Sequence, residues 1–138
     1  RHANAAALDE AEVLLRAVGE VVRLDNEAQI DAVTGVSGSG PAYVFHMIET
    51  MAKAGEEQGL SAELALQLAT ATVAGAGALA QASQDHPSQL RINVTSPNGT
   101  TQAALEVLMD ETTGFPALLS RAVAAATARS KELTSSKS

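Results

Sequence analysis

The chain has 138 residues, the length of one domain, and 28 of them are alanine while only three are aromatic. A core of small side chains buries little apolar area, so a single copy should be marginally stable and should associate. The net charge of −7 argues against nucleic-acid binding, and the lack of cysteine excludes disulfides and thiolate metal sites, which fits a cytoplasmic protein.

The first residues do not combine a basic start, an apolar run and a cleavage site, so we expect no signal peptide. The uncharged run from 64 to 84 is long enough to cross a membrane. Polar residues interrupt it, however, and much of the remainder is Ala and Gly. The interrupting polar residues are Gln67, Thr70, Thr72, Gln81, Ser83 and Gln84. We therefore expect no membrane span, but a helix covered by protein.

The first predicted element is a helix from about Asn4 to Glu20. Val21 to Leu24 could form a short extended piece. Asp25 or Asn26 can then cap a second helix that ends near Gly35.

The segment "SGSGP" predicts a flexible entry to a long helix, with Pro41 at its first position and Gly59 closing it after Gln58. Ser61 is a good N-cap for the next helix. Gly75 and Gly77 lie inside that helix, where each costs about 1 kcal/mol relative to alanine. Such a cost indicates that another backbone passes close by.

Pro87 marks a break before a short helix that ends near Asn93. Further helices are predicted from Thr100 to about Met109 and from Phe115 to about Leu133, with residues 133–138 as a disordered tail. No convincing strand alternation occurs, so the predicted fold class is all-α.

Two loops could carry chemistry. In "TSPNGTT", residues 95–101, turn-forming residues precede a helix start, where backbone amides can bind an anion. The alternative is that Ser96 or Thr100 simply caps the helix, and spacing alone favours this alternative. For "SGSGP" an ordinary loop is favoured more strongly. His2, His46 and His86 are far apart in sequence and predict no metal site.

Three stretches carry a resemblance to a known family: "DAVTGVSGSGPAYVF", "GLSAELALQLATATVAGAGAL" and "LRINVTSPNGTTQAALEVL". From about Ala11 to Leu133 the chain resembles the C-terminal domain of pyrroline-5-carboxylate reductase. The resemblance implies an all-α, interlocked helical bundle that dimerises, with residues 1–138 as a single dimerisation and substrate-binding domain. Its implied partner is a second copy, with dimers that can join into rings.

The resemblance also implies a site. Ser96, Asn98, Gly99 and Thr100 would hold the substrate carboxylate through backbone amides and the serine hydroxyl. Thr101 would be the catalytic residue, its hydroxyl approaching the imine nitrogen, and Val94 would line the ring. The implied cofactor-facing residues are Ser39, Gly40 and Pro41. Where the family usually has two glycines after the proline, this chain has Asn98 and Gly99.

The implied reaction is the reduction of 1-pyrroline-5-carboxylate to L-proline with NADPH or NADH, in proline biosynthesis. The family's N-terminal dinucleotide-binding domain is missing from this sequence, so we expect a fragment or isolated domain that is inactive alone. Two alternatives stay open. One is an inactive dimerisation module, and the other is the helical domain of another imine or hydroxyacid reductase.

Overall fold

The computed structural model describes residues 3–136 and is helical without any β-strand over that range, which confirms the predicted fold class. The helices are α1 (Ala5–Leu15), α2 (Ile30–Val33), α3 (Gly40–Glu57), α4 (Ala62–Ala82), α5 (Pro87–Asn93), α6 (Thr100–Leu108) and α7 (Phe115–Ser135). A 3-10 turn, Glu27–Gln29, precedes α2, and a π-helical turn, Thr34–Gly38, follows it. The chain up to Ile30 forms one compact unit, and the chain from Asp31 forms another.

In the first unit, α1 begins where the Asn4 side chain accepts a hydrogen bond from the Ala7 amide at 2.9 Å. The helix ends at Leu15, well before the predicted end at Glu20. Residues 20–24 have neither helix nor strand bonding, so the extended piece proposed from the sequence has no partner strand within the described residues.

Charged side chains tie α1 to the segment that follows it. The Arg23 guanidinium donates to the carboxylates of Asp9 and Glu12, and Arg16 donates to Glu12 from one turn along the helix. The guanidinium groups of Arg16 and Arg23 hold the pKa of the Glu12 carboxyl below its usual range. All four side chains reach solvent, so these ion pairs add little to the free energy of unfolding.

The second unit is built on a hairpin of α3 and α4. Gly59 takes a left-handed backbone (φ +98°), and the Leu60 amide donates to the Gly55 carbonyl at 3.1 Å, which are the features of a Schellman C-cap. The Ser61 hydroxyl then accepts from the Leu64 amide at 3.3 Å as the N-cap of α4. Both the Gly59 stop and the Ser61 cap are thus confirmed.

The buried core of this hairpin consists of small side chains. Ala52 on α3 meets Ala65 and Ala69 on α4, with Ile48 packed beside them. A Cβ added at Gly55 would lie 3.3 Å from the Ala65 Cβ, so the two helices approach closely there. Alanine fills the contact, and several larger apolar side chains of the two helices, among them Phe45 and Leu66, remain exposed.

The rest of α4 is open in the single chain. Leu66, Leu68 and Leu79 are each about half exposed. Apart from neighbouring backbone of α4 itself, no atom of the described residues lies within 4 Å of a Cβ built on Gly75 or Gly77, so the backbone predicted to pass there is not among those residues. Among residues 3–136, α4 is the one helix long and apolar enough to cross a membrane, judged by length and composition.

The segment between α2 and α3 differs from its prediction. The helix expected to end near Gly35 continues through the π turn, and Pro41 is the second residue of α3 rather than the first. The π turn packs against α7 and α3. In the described part of the chain, α5 and α6 have no comparably close packing on another element.

The C-terminal helix is longer than predicted. α7 runs to Ser135, so residues 133–135 of the expected disordered tail are helical. The last two residues of that predicted tail lie outside the described residues.

Candidate functional site

The stretch before α6 is a tight turn. The Gly99 amide donates to the Ser96 carbonyl at 3.0 Å, and Asn98 takes a left-handed backbone with φ +57°. Proline at the second position of the turn and a positive φ at the third are typical of a type II turn. Pro97 and Asn98 therefore reverse the chain and aim it into α6.

Gly99 has an extended backbone. Its φ is −88°, so its backbone does not need glycine's left-handed freedom. A Cβ at this position would instead lie 3.0 Å from the Ser96 carbonyl oxygen. Gly99 therefore leaves room for the Ser96 carbonyl, and within this turn Asn98 is the residue that takes the left-handed conformation.

Gly99 is also the N-cap of α6, and no side chain caps this helix. The alternative that Ser96 or Thr100 caps α6 is therefore wrong. The amides of Thr100 and Thr101 have no acceptor within the described residues, as expected for the first turn of a helix. They are open donors at the positive end of the helix dipole, where an anion is favoured by roughly 0.3–1 kcal/mol.

The backbone amide of Asn98, by contrast, already has an acceptor. It donates to the Gln102 side-chain oxygen at 2.8 Å. Gln102 is not among the residues predicted for the site, although a Gln at the third helical position is the known signal for a side chain that reaches back to the helix start. Of the predicted carboxylate-binding set, Ser96 and Thr100 keep free donors, while Asn98 and Gly99 use their amides to shape the turn.

Arg91 of α5 contacts residues on both sides of the turn in sequence. The Thr95 hydroxyl donates to the Arg91 carbonyl at 2.6 Å, and the Arg91 guanidinium reaches the Met109 sulfur at 3.2 Å. Val94, the residue before Thr95, is 65% exposed, whereas Thr101 is half-buried. The stretch therefore carries an exposed apolar side chain and, further along the chain, open backbone donors.

The second predicted loop lies elsewhere. Ser39 and Gly40 are half-buried and Pro41 is exposed at the end of the π turn. Ser39 lines an open cavity of about 450 Å³ together with Thr34 and the α7 residues Arg129, Ser130 and Thr134. Residues 94–101 do not line it, so within the chain as described this cavity does not join the two loops.

The polar groups near these loops have no arrangement for binding metal. Among the described residues, no group of three or more His, Asp or Glu side chains could hold an ion. His46 is exposed and contacts Glu49 at 3.1 Å, as expected for a surface residue. His86 caps α5, its ring nitrogen accepting from the Ser88 amide at 3.3 Å.

An all-helical domain with an alanine core and a long apolar helix left uncovered has the features of a dimerisation domain. This chain belongs to the pyrroline-5-carboxylate reductase dimerisation family, whose family model matches residues 27–133. The match includes the π turn, the α3–α4 hairpin and the turn before α6.

Relatives with this name occur in distant organisms. The chain is 51% identical over 94% of its length to pyrroline-5-carboxylate reductase of Pseudomonas aeruginosa, and 48% identical over 90% of its length to that of Arabidopsis thaliana. It covers 47% and 44% of those proteins. The chain thus spans about half the length of the curated relatives it matches.

Solved structures share the fold. A pyrroline-5-carboxylate reductase from Coxiella burnetii matches 95% of this chain with a TM-score of 0.88 and 40% identity, and the matched part is 48% of that protein. A Plasmodium falciparum pyrroline carboxylate reductase with NADP bound matches 96% of this chain, with a TM-score of 0.80 and 31% identity, over 49% of its own chain.

Proposed function

We propose that this chain is the dimerisation and substrate-binding part of a cytoplasmic reductase that converts 1-pyrroline-5-carboxylate to L-proline in proline biosynthesis, with NADPH or NADH. The observation that carries the proposal is the uncapped start of α6, where open amides follow a rigid turn in a chain of this family. The named relatives favour this substrate over other imines and over hydroxyacids.

The substrate carboxylate is held by the Ser96 hydroxyl and by the amides of Thr100 and Thr101. These groups are donors, and the α6 dipole adds positive potential at the same place. Asn98 and Gly99 contribute through the turn they form rather than through their amides. Val94 packs against the ring.

The Thr101 hydroxyl donates a hydrogen bond to the imine nitrogen and keeps it oriented while the imine carbon takes up hydride and the nitrogen takes up a proton from solvent. When bound, NADPH or NADH supplies the hydride. The chain's own contribution is positioning and prearranged polarity, which together account for much of the rate enhancement in such reactions. No strong acid or base is required of the residues around α6.

The cofactor is held mainly by the part of a full-length reductase that lies outside the matched half. In this chain the residues facing it are Ser39, Gly40 and Pro41. They fit that role because small side chains at the end of the π turn let a planar ring approach the backbone.

A second copy of the chain covers the open face of α4, and dimers can join into rings. The free room beside Gly75 and Gly77 and the half-exposed leucines favour another protein helix as the cover rather than lipid, because glycine lets backbones approach closely. The site is completed across this dimer.

Steady-state kinetics of the full-length reductase tests the site. Ser96→Ala should raise KM for pyrroline-5-carboxylate about 10-fold, because a hydrogen bond to a charged group is lost. Thr101→Val should lower kcat about 100-fold, the usual cost of removing one prearranged donor. Ser120→Ala, on the exposed surface of α7, is the control and should match the parent.

Normal turnover of Thr101→Val would remove Thr101 from the donor role. A full-length protein that dimerises but neither reduces pyrroline-5-carboxylate nor binds proline would instead be an inactive dimerisation module. Calorimetry with proline detects that binding independently of turnover.

A further inference from the structure

The π turn, Thr34–Gly38, takes from the Gly35 carbonyl the backbone donor that an α-helix would give it. In an α-helix the Ser39 amide would donate to the Gly35 carbonyl, but here it donates to the Thr34 carbonyl at 2.8 Å. The Tyr43 hydroxyl, from the first turns of α3, donates to the Gly35 carbonyl at 3.0 Å in a half-buried setting. Tyr43 therefore satisfies the group that the π turn exposes.

The opposite side of the turn is fixed by α7. Gly35 is buried, and a Cβ there would lie 3.1 Å from the Val123 carbonyl oxygen and closer still to the Thr127 hydroxyl. One turn earlier, the Ser130 hydroxyl donates to the Asp31 carboxylate at 2.6 Å. Backbone and side chains thus hold the turn between α3 and α7.

Thr34, the first residue of the turn, and Ser39, the residue after it, both line the open cavity beside Arg129 and Ser130. π turns cost helix stability and are frequent at functional sites. A π turn contains one residue more than a turn of α-helix. This extra residue sets the direction in which the chain continues through Ser39, Gly40 and Pro41. In a regular α-helix the Gly35 carbonyl would need no side-chain donor, so the hydrogen bond from Tyr43 favours the wider turn.

We propose that Tyr43 is a positioning residue, which acts through the Gly35 carbonyl to hold the π turn and so fixes the Ser39–Pro41 segment for the nicotinamide cofactor. The inference rests on the proposed function, because it takes that segment to face the cofactor. Tyr43 itself does not touch the reacting atoms.

The test uses Tyr43→Phe in the full-length reductase, with Thr50→Val as the control. Thr50 is also on α3 and also donates its hydroxyl to a backbone carbonyl, that of His46, but it lies away from the π turn. Two measurements are made on each protein: amide hydrogen exchange of peptides covering residues 34–41, and dissociation constants for NADPH and for proline by titration.

Tyr43→Phe should speed exchange in residues 34–41 and weaken NADPH binding about 2- to 10-fold, the effect of one hydrogen bond. Proline binding and exchange at the start of α6 should not change. Unchanged exchange in 34–41 would overturn the proposal, and so would unchanged NADPH binding or equal weakening of both ligands. Failure of the parent enzyme to reduce pyrroline-5-carboxylate would overturn the proposed function alone, since NADPH binding is measured without turnover.

Discussion

At the scale of single residues, the turn before α6 depends on two neighbours with separate tasks. Asn98 takes the left-handed backbone, and Gly99 leaves room for the Ser96 carbonyl. Asparagine is among the side chains that tolerate a positive φ best, which explains how this chain forms the turn without a glycine at its corner.

We expect Asn98→Ala to lower the free energy of unfolding by about 1 kcal/mol, because alanine resists the left-handed region. Asn98→Gly should retain or slightly raise stability. Urea denaturation at one fixed protein concentration measures both, since association contributes to stability. Equal stability of the alanine and glycine variants would contradict the left-handed backbone at this position.

Asp110 organises the loop between α6 and α7. Its carboxylate accepts four hydrogen bonds, from the amide and hydroxyl of Thr112 and from those of Thr113, at 2.7–2.9 Å. These bonds, that from the Thr112 hydroxyl first, hold the pKa of the Asp110 carboxyl well below its usual range. The charged form is the one that the folded loop stabilises.

The loop should therefore lose stability in acid. Because the pKa of Asp110 is lowered by folding, its contribution is complete above the unfolded pKa of about 4 and decreases as the pH falls below it. The melting temperature of Asp110→Ala should lie below that of the parent at pH 7, and the gap should narrow below about pH 4. Glu111→Ala, at the next exposed position, is the control. A gap independent of pH would show that the charge of Asp110 does not stabilise the loop.

At the scale of elements, the segment between α2 and α3 is where the structure differs most from the sequence-based prediction. Glycine and serine predict a loop there, but contacts from α7 and α3 impose a π turn. Gly35 is the residue on which this depends, because its backbone lies directly against α7.

Gly35→Ala should destabilise the chain by about 1–3 kcal/mol, the typical effect of overpacking a tight contact. Gly38→Ala is the matched control in the same turn, since its Cβ would meet only the Thr34 side chain at an ordinary 3.6 Å. Adding Thr127→Ala should partly rescue Gly35→Ala by removing the nearest clash. Equal stability of the two glycine variants would rule out close packing of the turn on α7.

At the scale of the whole molecule, the chain buries too little apolar surface by itself. Its buried hydrophobic residues are three alanines within the described residues, while Leu66, Leu68 and Leu79 of α4 stay about half exposed. A chain of this length normally buries a larger core. Membership of a dimerisation family accounts for the shortfall, because a second copy can supply the missing contacts.

We predict that the chain sediments at twice 14.1 kDa at micromolar concentration. Gly75→Phe should abolish this dimer, because the free room beside Gly75 would be filled by a ring where a second backbone must pass. Glu49→Phe, at an exposed charged position on α3, should leave it intact. A stably folded monomer of the parent chain would contradict an obligate dimer.

The sequence alone predicts those helix boundaries and turns that depend only on neighbouring residues. The all-α class, the Gly59 stop, the Ser61 cap and the turn at Pro97 and Asn98 follow from backbone preferences of neighbouring residues, which act over one or two turns of chain. The resemblance carried by "SGSGPAY" and "TSPNGTT" added the family, which the match over residues 27–133 confirms.

Tertiary structure decided what depends on residues far apart in the chain. The π turn packs on α7, some 90 residues later, and its Gly35 carbonyl accepts from Tyr43 of α3, and no local pattern at "TGVSG" contains that information. The tertiary structure likewise decides which backbone amides around the start of α6 are free. The Gln102 side chain accepts from the Asn98 amide, whereas the amides of Thr100 and Thr101 stay open. Sequence specified the turn and the helix, and packing decided which of their donors stay free for a ligand.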